Sequence, residues 1–217
     1  MAADGRLVTA DHDGRVRCRR ESDAALLWTA SVGGTPVEAT PAVERGVVYV
    51  PTTFGKLYAL SLADGRRLWR LDTEGAGRSS PQILGTTLYM AAGFPSWDIL
   101  AVDAATGAIL WRTPLDEISY SSPALAGGRV IVGTNKGTVH ALDAATGEKL
   151  WAYRPDGMMG MSSPLVMGET VYVLPGGSSG DLCAVDLATG VESWKVTVTD
   201  PAPPPASIHV NRAISSP

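Results

Sequence analysis

Asp11, His12 and Asp13 stand side by side near the start of the chain. A carboxylate, imidazole and carboxylate in a row suit a divalent cation. Gly14 follows at once, and Asp-x-x-Gly is also an ordinary hairpin turn, which is how we read it. Arg15, Arg17, Arg19 and Arg20 could hold a phosphate, but they alternate along a strand-like run and read as a solvated face. Met158, Met159 and Met161 offer soft sulfur ligands or an adaptable binding patch. A loop tucked into a channel mouth accounts for them without either role. Cys18 and Cys183 are the only cysteines; with no CxxC pair and no even spacing they read as small buried free thiols. His140 lies in a strand-like run at the place where other units carry Tyr58, Leu100 and Cys183, which is a packing position. Trp97 belongs to no regular spacing and falls on a loop, so it is the leading candidate for contact with a partner or ligand, with Phe94 beside it. No Gly-x-Ser-x-Gly elbow, Ser-His-Asp set or zinc spacing is present.

Hydrophobic residues make up 45% of the 217 residues and charged residues 18%, with net charge −4. That composition folds, and it lacks the basic surface needed for nucleic acid or anionic lipid. No apolar run approaches the ~20 residues of a membrane span. The first residues lack the basic-then-apolar layout of an export signal. As written, the chain is expected in the cytoplasm; as an excerpt of a longer exported protein, it would be periplasmic or otherwise extracytoplasmic.

Elements that position these residues follow from a repeat. Trp28, Trp69, Trp111, Trp151 and Trp194 are spaced by 41, 42, 40 and 43 residues. Pro41, Pro81, Pro123 and Pro164 keep step, each after Ser or Thr, and Pro217 continues the series. Each unit reads as four short β-rich runs separated by Gly, Asn-Lys-Gly or Thr-Gly turns. No stretch sustains helical periodicity. Four strands per ~40-residue unit predict an all-β propeller of four-stranded antiparallel blades, one domain over residues 1–217. Its units end near Trp28, Trp69, Trp111, Trp151 and Trp194.

Within the units recurs Ala-x-Asp-x-x-Thr-Gly-x-x-x-Trp. It runs from Ala101 through Asp103, Thr106 and Gly107 to Trp111. It returns from Ala141 to Trp151 by way of Gly147, and from Ala184 to Trp194 by way of Gly190. The unit ending at Trp69 is looser, with Ser61 and Asp64 in the Asp and Thr places. Asp and Gly make the turn, and Trp covers the neighbouring blade, its N–H requiring an acceptor. Ala leaves room. In the first unit Cys18, Arg20, Asp23 and Ala24 replace the motif, so its turn is expected to be weaker.

This phrase resembles the tryptophan-docking motif of pyrroloquinoline-quinone (PQQ) repeat propellers, a family that includes quinoprotein dehydrogenases and BamB-like assembly factors. The resemblance implies either a partner-binding scaffold or a quinoprotein oxidoreductase. A quinoprotein would need calcium ligands, a base and, in many members, adjacent cysteines. No Cys-Cys pair occurs, and Asp103, Asp143 and Asp186 are committed to turns. Arg78, Tyr120, Met161 and Arg212, each near a Ser-Pro strand start, are what remains to line a pocket. We therefore expect a non-catalytic module without cofactor or metal. Protein or ligand contacts would come from Trp97, Phe94, Tyr120, Arg78, Met161 and Arg212 on the variable-loop face, where the Pro-rich stretch from Asp200 also falls. The alternative is a quinoprotein fragment whose cofactor ligands lie elsewhere. Five repeats, cut inside a first strand, favour an open arc of a larger ring over a closed five-blade ring. Its end blades would expose apolar faces and self-associate.

Overall fold

The computed structural model describes residues 1–155, 162–175 and 180–197. Met161, Arg212 and the Met1–Pro217 separation that would test ring closure lie outside the described residues, as do Met158, Met159 and the stretch from Asp200.

Five four-stranded antiparallel sheets follow one another, each a meander whose strands pair in chain order. The first blade holds β1 (Ala2–Ala3), β2 (Arg6–Ala10), β3 (Arg15–Arg20) and β4 (Leu26–Ser31). The second holds β5 (Ala42–Glu44), β6 (Val47–Thr52), β7 (Lys56–Ser61) and β8 (Arg67–Asp72). The third holds β9 (Gln82–Leu84), β10 (Thr87–Ala92), β11 (Asp98–Asp103) and β12 (Ile109–Pro114). The fourth holds β13 (Ala124–Ala126), β14 (Arg129–Gly133), β15 (Val139–Asp143) and β16 (Lys149–Tyr153). The fifth holds β17 (Leu165–Met167), β18 (Thr170–Val173), β19 (Asp181–Asp186) and β20 (Glu192–Thr197).

The repeated phrase spans the third and fourth strands of a blade. Ala101 lies opposite Trp111, Ala141 opposite Trp151 and Ala184 opposite Trp194, and one residue later the register shifts by a bulge. Asp103 closes the turn by accepting from the amides of Ala105 and Thr106 and from the Thr106 hydroxyl. That hydroxyl, then the Thr106 amide, holds the Asp103 carboxyl below its usual range. The first blade, expected to turn more weakly, keeps the same pair of backbone bonds, from Arg20 N–H to Ala25 and from Ala24 N–H to Arg20. Ala24 takes the glycine place at φ 57°. Asp23 compensates by accepting from the Ala25 amide and pairing with Arg20 at 2.7 Å.

Seams between blades carry the core. Trp28, Trp69, Trp111 and Trp151 donate their indole N–H to the carbonyls of Leu62, Ala104, Ala144 and Leu187, each in the next blade, at 2.9–3.1 Å. Tyr49 and Tyr89 hydroxyls donate to the same Ala104 and Ala144 carbonyls, so one oxygen serves two rings. Burial pushes both phenols up. The Ser or Thr before each proline has a role too. Thr40 N–H donates to Ser80 Oγ, Ser80 N–H to Ser122 Oγ, and Ser122 N–H to Ser163 Oγ, each at 3.0 Å, stitching consecutive blades together.

The two end faces are unequal, which corrects the expectation that both are apolar. Val8, Val16 and Cys18 of the first blade pack on Val48, Val50, Tyr58 and Leu60 of the second. Alternation turns Leu7, Arg17 and Arg19 the other way, with Arg17 paired to Asp11 at 2.6 Å. By register with Cys18 and Ala59, Arg17 and Arg19 stand where the second blade has Tyr58 and Leu60. The first blade's outward face is therefore cationic. The fifth blade instead turns outward Tyr172, Leu182, Ala184 and Trp194, with Trp194 44% exposed.

Cys18 and Cys183 are buried free thiols in the first and fifth blades, and burial raises both pKa values. Asp11 is a turn residue. Its carboxylate accepts from the amides of Asp13 and Arg15 and from Arg17. Among the described residues no three His, Cys, Asp or Glu side chains are grouped to hold a metal, and no helix is long and apolar enough to cross a membrane.

Candidate functional site

Loops between second and third strands, and connections between blades, emerge on one face. Four of them meet in a cleft of about 520 Å³ lined by Thr53, Phe54, Gly55, Asp72, Glu74, Gly75, Ala76, Arg78, Phe94, Pro95 and Tyr120. That volume lies within the ~300–1,000 Å³ typical of binding pockets. Backbone bonds fix its walls. Thr73 N–H donates to Gly55, Gly77 N–H to Thr52, Ala76 N–H to Phe94 and Gly93 N–H to Ala76, at 2.9–3.0 Å. The approach requires glycine: a Cβ on Gly75 would sit 2.3 Å from the Gly93 carbonyl oxygen, and one on Gly93 would sit 2.5 Å from a Tyr120 ring carbon.

Charge in the cleft is held by ion pairs. Arg78 Nε lies 2.8 Å from Glu38, and its guanidinium carbon lies 5.2 Å from the centre of the Tyr120 ring, a cation–π distance. Lys56 meets Asp72 at 3.2 Å. Arg112 is shared, 2.7 Å from Glu74 and 3.0 Å from the buried Asp98, which also accepts from the Ser96 hydroxyl. Glu74 itself has φ 60°, a conformation that L-residues rarely adopt outside functional loops and tight turns. The arrangement presents aromatic surface and paired charge. It offers recognition chemistry.

Of the residues singled out from sequence, Phe94, Arg78 and Tyr120 come together in this cleft. Trp97 does not line it. Trp97 sits at the start of β11 at φ 61°, 37% exposed, its amide donating to Gly93 and its carbonyl accepting from Leu115. Trp69, Trp111 and Trp151 fill seams; Trp194 holds the same place on the open face, with Tyr172 tilted against it at 6.0 Å as Tyr89 is against Trp111 at 5.9 Å. Gly107, Gly147 and Gly190 each lie beneath the indole of the preceding blade. His140 is a buried strand residue whose Nδ1 has no hydrogen-bond partner among the described residues. Sequence reasoning missed Asp72, Glu74 and Arg112. Their signal was a charged connection from Asp72 to Arg78 between two blades.

A sequence model of the family described as outer membrane protein assembly factor BamB matches residues 12–94 and 84–213. The BamB of Burkholderia pseudomallei is 29% identical over 192 residues, covering 82% of this chain and 47% of that protein. The quinohemoprotein alcohol dehydrogenase of Comamonas testosteroni is 29% identical over 161 residues, covering 64% of this chain and 23% of that one. In three dimensions the chain is similar to BamB from Moraxella catarrhalis, with TM-score 0.77 and 17% identity over 89% of this chain and 61% of that one. The chain thus spans about half the length of the BamB relatives it matches.

Proposed function

Starting from the fact that the chain belongs to the BamB-like family of PQQ-repeat propellers, we propose that it is a non-catalytic scaffold that binds a protein partner at the variable-loop cleft. The observation that carries this reading is the pair Phe54 and Phe94, 67% and 60% exposed, on one cleft. Exposed aromatic side chains around a concave, glycine-closed surface are what interface hot spots are made of. Trp97, at the far end of the Phe94 loop, would be an outer contact. The relatives' names place them in outer-membrane assembly, and we assign this propeller to the cell envelope for the same reason.

Likeness to a quinohemoprotein dehydrogenase favours a second reading, a piece of a PQQ enzyme. The described residues do not fit that group. Calcium beside a quinone wants six to eight oxygens, whereas Asp103, Asp143 and Asp186 are bound into turns and Asp72, Glu74 and Glu38 into ion pairs. The two readings separate in one experiment. The purified chain is titrated with PQQ and calcium, and a peptide library is selected on it and on the Phe54→Ala/Phe94→Ala variant. Peptides that bind the chain and lose affinity for the variant support the scaffold. Saturable, calcium-dependent PQQ uptake with dye-linked alcohol oxidation would replace it with the enzyme.

A further inference from the structure

Phe54 and Phe94 are the only phenylalanines in the chain. Neither is spent on a seam. One comes from the β6–β7 loop and the other from the β10–β11 loop, and both line the same cleft. The face of an aromatic ring is electronegative and attracts cations.

The charges around the cleft point to the same sign. Arg78 is neutralised from behind by Glu38 and capped by Tyr120. Asp72 has Lys56 to itself, but Glu74 must share Arg112 with Asp98. Taken together, Glu38, Asp72, Glu74 and Asp98 outnumber Lys56, Arg78 and Arg112 by one negative charge. The most exposed of these carboxylates is Glu74, with 69% of its side chain open to solvent. It lines the cleft with both phenylalanines, held there by its left-handed backbone and by the Thr73 bonds to Gly55 and Gly75.

We propose that the cleft takes a basic side chain, Lys or Arg, from an extended segment of a polypeptide partner. The cation lies against the Phe54 and Phe94 rings with Glu74 as its counter-ion. This assignment rests on the scaffold reading above and adds the chemistry of the partner. An acidic side chain would meet the excess carboxylate. A purely apolar one would fill the aromatic walls without balancing the excess carboxylate.

The test uses short synthetic peptides, identical except for a central Lys, Arg, Glu or Leu, titrated by calorimetry into the whole chain. The Lys and Arg peptides should bind roughly two- to thirtyfold tighter than the Leu and Glu peptides, the span expected of a cation over an aromatic face. Glu74→Gln should reduce that preference, and Phe54→Ala/Phe94→Ala should weaken Lys and Arg binding. Urea melts of both variants should match the parent, since all three side chains are exposed. Equal binding of Leu and Lys peptides, still lost in the phenylalanine variant, would overturn the cation and keep the scaffold. Tighter binding of the Glu peptide would also overturn it. Binding of none of the four peptides would overturn the cation site. If selected library peptides also bound the phenylalanine variant as tightly as the parent, the scaffold reading would fail with it.

Discussion

Gly107 lies directly beneath the six-membered ring of Trp69 in the preceding blade: a Cβ placed on Gly107 would come within 2.8 Å of the Trp69 ring carbon Cε3. The same contact recurs between Trp28 and Gly65, Trp111 and Gly147, and Trp151 and Gly190. The motif glycine therefore serves two needs at once, a left-handed turn at φ 79° and room for the neighbouring indole.

These two needs can be separated by mutation. Gly46 has φ 77° with nothing within 4 Å of its would-be Cβ, so Gly46→Ala meets only the backbone penalty. That is about 1–2 kcal/mol. Gly107→Ala must also push the indole off its seat and should cost at least about 2 kcal/mol more, in the range of core overpacking. Urea melts of the two variants decide it. Equal losses would show that the indole yields freely.

Trp111→Ala should destabilise by about 3 kcal/mol, as expected for emptying a packed aromatic site. Trp111→Phe keeps most of the ring contact but removes the N–H donated to Ala144 at 3.0 Å. It should cost about 1 kcal/mol for the bond, plus the penalty of a smaller ring. Trp97→Ala should stay well under about 1 kcal/mol, since that ring fills no seam. A larger loss at Trp97 than at Trp111, measured by denaturant midpoint, would reverse this assignment.

His140 makes stability depend on pH. Burial, then the nearby Lys149, holds its pKa below 6.5, with Asp116 and Glu117 pulling the other way. Because the unfolded chain takes up the proton first, the contribution is whole above about pH 6.5 and declines as pH falls below it. Leu100 fills the corresponding place in the third blade. His140→Leu should therefore flatten the fall in urea midpoint between about pH 7.5 and 5.5. An unchanged pH profile would assign the slope to other groups.

Arg17 and Arg19 should stop the chain from stacking head to tail. Docking another fifth blade onto the first would bury both guanidinium groups against Tyr172, Leu182 and Trp194, and buried charge without a full set of partners is strongly unfavourable. Arg17→Leu/Arg19→Val restores the pattern of Tyr58 and Leu60. Sedimentation should show the parent no larger than a dimer and the double variant growing into longer, concentration-dependent species, because head-to-tail contacts do not close on themselves. Long oligomers of the parent, or no change in the variant, would count against the cationic face as the barrier.

The propeller is legible in the sequence because every blade repeats the same local instructions. Tryptophans about forty residues apart, Asp-x-x-Thr-Gly turns and short alternating runs each act within one blade, where neighbours in sequence are neighbours in space. The same reading marked the variable loops, and with them Phe94, Arg78 and Tyr120. Which loops touch is another matter. Phe54 and Phe94 are separated by forty positions, and their loops meet through backbone bonds such as Ala76 to Phe94 and Gly77 to Thr52. Backbone bonds leave no mark on side-chain identity, so the cleft could not be assembled from the sequence. For the same reason Trp97, conspicuous because it broke the rhythm, proved to stand outside the cleft, while Glu74 became visible only through its φ and its divided share of Arg112. Local turn chemistry and alternation determined the blades. The adjacency of the second and third blades decided the site, because a cleft between loops is a property of how two blades pack and belongs to neither blade alone.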